Sequence, residues 1–143
     1  MPRASYTTSV QASIGTVWDL LLDKIENPGK YLPGVEKSKI IERSDEGVLR
    51  YMKTKAFEIR EWITIDSKDF EITFLLVDHP KYSGKVVNKV APFPNAGNNV
   101  VNLTFAIDWT PKTKEAEDDD MEPIVKQAVL HTKEIAEKAE KPI

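Results

Sequence analysis

No cysteine occurs among the 143 residues, which excludes disulfides, thiolate nucleophiles and any zinc or iron-sulfur centre built on sulfur. No apolar run approaches the roughly 18 residues of a membrane span, and the opening Met1 to Thr8 has no apolar signal segment. The expectation is therefore a cytoplasmic chain with no membrane span. Neither sign of charge dominates: 20 Lys and Arg against 23 Asp and Glu give a formal net charge of -3, and the cations are dispersed, so no nucleic-acid or anionic-membrane surface is expected. Gly-rich phosphate loops, GxSxG elbows and HExxH helices are all missing, which removes the support for phosphoryl transfer, serine hydrolysis and zinc proteolysis. What is present is ordinary globular material, 41% hydrophobic and 30% charged. A chain of this length fits one domain, residues 1–143, and buries roughly 70% of the surface its unfolded form exposes.

The stretch from Phe57 to Ile65 organises the rest. Phe57, Ile59, Glu61, Ile63 and Ile65 alternate as one apolar strand face with a carboxylate at its centre. An ionised Glu there costs several kcal/mol unless it is paired, hydrogen-bonded or left facing water, so it demands a partner or a wet cavity. A hairpin turn at Lys55 and Ala56 pairs Thr54 with Phe57, Met52 with Ile59 and Arg50 with Glu61, which places a guanidinium directly across from the carboxylate. A second turn centred on Asp66 to Asp69 pairs Ile63 with Ile72 and Glu61 with Phe74 on the same face.

Around this core the chain reads as a strand (Ser5 to Ala12), a helix capped by Ser13 with an Ile14, Val17, Trp18, Leu21, Leu22, Ile25 stripe, and a break at Asn27-Pro28-Gly29. Strands follow from Glu36 to Arg43, Val48 to Thr54, Tyr82 to Val90 and Val101 to Trp109, besides the two above. Residues 111–119 carry no core pattern and read as a connector. Asp120 caps a last helix whose inward stripe is read as Ile124, Ala128, His131, Ile135 and Ala139, with small residues beside it that suit the wall of a void. Asp118-Asp119-Asp120 matches no calcium loop, and the cap explains it, so no metal is expected.

Val17-Trp18 in the first helix, Tyr31-Leu32-Pro33-Gly34-Val35 before the second strand and Asp108-Trp109 closing the last, in this order of elements, resemble the START and birch-pollen-allergen (SRPBCC) superfamily, most closely its AtaL-like subgroup. The resemblance implies an α+β helix-grip fold: a seven-stranded curved antiparallel sheet wrapped round a long C-terminal helix, with two short helices after the first strand. It also implies a cavity that holds lipids, hormones, polyketides or aromatic molecules in various members. The Asp45-Glu46-Gly47 turn lacks the glycine-rich loop of the pollen-allergen branch, so that branch's roles do not carry over.

The expected site lies in that cavity. Arg50, Glu61 and His131 are its polar anchors, and Met52, Ile59, Ile63, Phe74, Asn88, Phe105, Ala128 and Ile135 are further ligand contacts. Arg50 and Glu61 are read equally as a buried pair that sets hairpin register. The leading expectation is binding of a small hydrophobic, lipid-like or aromatic molecule without a cofactor, by a monomer or weak homodimer. One alternative is a cyclase or dehydratase using Glu61, with His131, for proton transfer. Another is a co-chaperone-type interaction module presenting Tyr51 and Trp62 on the outer sheet face. A filled interior favours the module, an open pocket joining Glu61 to His131 the enzyme, and an apolar pocket with one polar pole the binding protein.

Overall fold

The structure, a computed structural model, describes residues 3–32, 34–55, 58–93, 97 and 99–140. Phe57, the first residue of the organising stripe, and its pairing with Thr54 lie outside them. The elements run β1 (Arg3–Val10), α1 (Ile14–Glu26), a 3-10 turn (Pro28–Lys30), β2 (Val35–Ser44), β3 (Gly47–Thr54), β4 (Glu58–Asp66), β5 (Glu71–Leu76), β6 (Tyr82–Pro92), β7 (Val101–Pro111), α2 (Lys114–Glu117) and α3 (Glu122–Glu140). The strands form one seven-stranded sheet in the order β1-β7-β6-β5-β4-β3-β2, with every neighbouring pair antiparallel. This is the helix-grip architecture, and its curved sheet wraps the long α3.

Local chemistry explains the element boundaries. Ser13 caps α1 by accepting from the Thr16 N–H at 3.3 Å, and the Glu140 carboxylate at the end of α3 accepts from the Ser13 N–H at 3.1 Å and the Thr16 hydroxyl at 2.6 Å. The last turn of α3 is thereby fastened to the orphan donors at the start of α1. Register shifts between Val35 and Lys37 and between Ile40 and Glu42 mark irregularities in β2, the type of defect that bends a strand. Gly84 has φ +120°, and a Cβ there would come within 2.2 Å of the Asp108 carbonyl oxygen, so the contact between β6 and β7 requires glycine.

Three sequence expectations are corrected. The β4–β5 turn is displaced by one residue: Glu61 pairs with Leu76, Ile63 with Phe74 and Ile65 with Ile72. Asp66 stays in the ladder because its carboxylate accepts from the N–H groups of Lys68 and Asp69, an Asx turn that pushes the loop onto residues 67–70. Phe70 closes it at φ 52° and sets its ring edge-on to Trp18, 5.4 Å away. The partner changes by two residues, so every inward side chain stays inward. The second correction concerns α3, whose buried residues are Val125, Ala128, Val129, Thr132 and Ala136. Thr132 is as good as apolar because its hydroxyl is satisfied by the Ala128 carbonyl at 2.9 Å, and these small side chains seat the helix against β1 and β7. Third, residues 111–119 hold the short helix α2, capped by Thr113 and burying Ala116.

Candidate functional site

A cavity of about 280 Å³ lies between the sheet and α3. Its walls are apolar: Met52 and Ile59 come from β3 and β4, Phe74 and Val86 from β5 and β6, Phe105 and Ile107 from β7, and Val125 and Ala128 from α3. These positions follow from the period-2 alternation of each strand, which sends every second side chain to the concave face. Gly34, Lys55, Ile124 and Gln127 also line it and are exposed, so the cavity reaches the surface between the β2 entrance, the β3–β4 hairpin and the first turns of α3. Leu32 lines it too. Tyr31 does not; it is buried, and its hydroxyl donates to Asp23 at 2.7 Å.

The polar end is built from four side chains. Arg50 and Glu61 are paired across β3 and β4, both buried, with the Arg50 Nη2 donating to Glu61 Oε1 at 2.7 Å. The other terminal nitrogen of Arg50 donates at 3.1 Å to the carbonyls of Lys24 and Ile25, two of the last four carbonyls of α1, which have no partner within the helix. Arg50 thus serves as a C-terminal cap for α1, where a cation also complements the helix dipole. Lys24 is itself buried, with its ammonium 2.6 Å from Asn88 Oδ1 and 4.1 Å from the centroid of the Phe105 ring. Burial, with the Arg50 charge adding to it, lowers the Lys24 pKa from 10.5 to about 7. Glu61 opposes that shift.

Most of the residues expected to contact a ligand line this cavity, and a lysine that was not among them lines it too. Arg50, Met52, Ile59, Glu61, Phe74, Asn88, Phe105 and Ala128 all line the cavity. Ile63 is fully buried in the core beyond it, and Ile135 is half-buried outside it. His131 is corrected: it is exposed, and its Nε2 lies 2.9 Å from the Lys30 carbonyl oxygen. The face of α3 turned to the sheet carries Val125, Ala128, Val129, Thr132 and Ala136, and His131 lies off it. Lys24 was legible as position i+7 from Val17 and i+3 from Leu21, a cation on an apolar stripe that composition alone assigns to solvent.

The concave sheet, the grasped helix and the apolar cavity between them define a protein of the START and polyketide aromatase/cyclase fold. The chain belongs to the AtaL family, described as acetylaranotin biosynthesis cluster protein L, whose model matches residues 7–140. No curated protein sequence matches significantly. Among solved structures the chain is similar to the Zhui aromatase/cyclase from Streptomyces sp. R1128, with a TM-score of 0.85 at 13% identity over 97% of this chain and 95% of that one. It is also similar to a START superfamily protein from Mycobacterium smegmatis, with a TM-score of 0.68 at 14% identity over 96% of each chain. Norcoclaurine synthase from Thalictrum flavum, in complex with dopamine and hydroxybenzaldehyde, gives a TM-score of 0.74 at 14% identity over 98% of this chain and 88% of that one. At these identities the likeness is one of fold.

Proposed function

We propose that residues 1–143 act as one START-like domain that binds a small, mainly apolar molecule, lipid-like or aromatic, between the sheet and α3. The observation that carries this reading is the cavity: apolar along its walls, polar at one end and open to the surface. A volume of about 280 Å³ sits near the lower end of the range for small-molecule sites, roughly 300–1,000 Å³, which suits a compact ring system or a short chain. Arg50, fixed by Glu61, meets the polar end of the ligand. The fold's occurrence in an aromatase/cyclase and in a norcoclaurine synthase supports aromatic cargo. Of the two residues expected to transfer protons, Glu61 lines the cavity and His131 faces elsewhere, so binding is the reading preferred.

Native mass spectrometry of freshly purified protein tests it. The expected result is a small-molecule adduct that denaturing conditions release and that Ala128→Trp, which fills the cavity, does not carry. A wild-type protein that carries no adduct, and takes up none on incubation with a total lipid extract, contradicts the reading.

A further inference from the structure

The polar end of the cavity has more donors than acceptors. Arg50 spends its two terminal nitrogens on Glu61 and on the carbonyls of α1, which leaves its Nε–H buried with no acceptor among the described residues. Asn88 turns its Oδ1 to Lys24, so its Nδ2 is buried and unmatched in the same way. The Lys24 ammonium has three donors and, among the described residues, one acceptor, Asn88; the rings of Phe105 and Phe74 lie 4.1 and 5.1 Å from it and supply only the weaker attraction of a π face. A buried donor without an acceptor has given up its water and gained nothing in return. All three side chains line the cavity. The charge count points the same way, since Arg50 and Glu61 cancel and a protonated Lys24 leaves one positive charge.

We infer that this end of the cavity receives a negatively charged oxygen head, a carboxylate or the anion of an acidic enol or phenol, carried on the apolar body that the walls accept. The inference rests on the ligand-binding reading above and narrows it to organic acids. Lys24 of α1, Arg50 of β3 and Asn88 of β6 supply the donors. Among the described residues, Glu61 of β4, held by Arg50, is the one acid at this end of the lining, while Phe74 of β5 and Phe105 of β7 enclose the ammonium. From α3 the lining adds Ile124, Val125, Gln127 and Ala128, none of them charged, and Lys55 stands exposed elsewhere on it. Seating an anion beside Lys24 favours its protonated form. Above neutral pH, where burial has stripped much of the proton from the free protein, binding takes a proton up from solution.

Calorimetric titration of the full chain with 2-naphthoate and with 2-naphthamide, which share an apolar body, tests this. At pH 8 the acid is expected to bind at least tenfold tighter than the amide, and its heat is expected to change between buffers of different ionisation enthalpy in the sense of proton uptake. Both differences vanish in Lys24→Met and in Lys24→Gln, which keeps a donor without the charge; circular dichroism verifies that each is folded. Equal affinity for acid and amide, or an acid preference that survives both substitutions, overturns the inference. If neither naphthalene compound binds while the neutral probe N-phenyl-1-naphthylamine does, the head-group inference fails and ligand binding stands. If none of the three binds, both fail.

Discussion

Lys24 and Arg50 are two buried cations with different partners. Lys24 ionises near 7 inside the fold against an ordinary 10.5, so between these values the unfolded chain binds a proton that the folded one has released. Stability therefore rises as pH increases from about 7 to about 10.5, and the contribution is absent in Lys24→Met. Urea unfolding at pH 7 and pH 9.5 measures it: the wild type is expected to gain from Lys24 over this interval and the variant not to. Arg50 is different, because its guanidinium has a carboxylate and two helix carbonyls to serve. Truncation to Ala strands the Glu61 charge and is expected to cost about 3–5 kcal/mol, whereas Arg50→Met with Glu61→Met removes both charges together and is expected to cost much less. His79 adds a smaller dependence of the same sign. Its Nδ1 accepts from the N–H groups of Lys81 and Tyr82, and burial with the nearby Lys112 and Lys81 holds its pKa below 6.5. The neutral ring's contribution is complete above that ordinary value and is lost as pH falls below it.

At the scale of elements, two glycines separate necessity from tolerance. Gly84 of β6 sits opposite Trp109 of β7, at φ +120° and with backbone where a Cβ would go. Gly84→Ala is expected to lower unfolding free energy by more than about 2 kcal/mol. Gly15, in the first turn of α1, would bring its Cβ near nothing within 4 Å, and Gly15→Ala is expected to raise stability by about 0.5 kcal/mol. Chemical denaturation of the two variants checks both signs. Gly47 shows what the outer aromatics do: a Cβ there would lie 2.8 Å from the Trp62 ring, so Trp62 covers a glycine on the outer face of its own sheet. Strand identity and facing were legible in the sequence because alternation is strong in β3, β4 and β7. The β4–β5 register was not, because Asp66 starts an Asx turn whose hydrogen bonds outweigh symmetric placement of the loop. The face of α3 was misread for a related reason. Ile124, His131 and Ile135 are the larger side chains, yet close approach to the sheet selects Val125, Thr132 and Ala136.

For the whole molecule, the fold was readable from the order of elements and the cavity from the conflict between large strand residues and small helix residues. Three of the four side chains at its polar end were readable as well. Arg50 and Glu61 stand out because both interrupt apolar stripes and the hairpin brings them opposite each other. Lys24 also interrupts an apolar stripe, but no hairpin sets a partner across from it: Asn88 reaches it only through tertiary packing. The central claim is that the space between sheet and α3 holds an apolar guest. A fluorescence titration with N-phenyl-1-naphthylamine, run on the wild type and on Ala128→Trp after matching their thermal melts, measures it most directly. The expected result is a saturable, blue-shifted rise in the wild type that the filled cavity abolishes; no saturable rise, or an equal rise in both proteins, would contradict it.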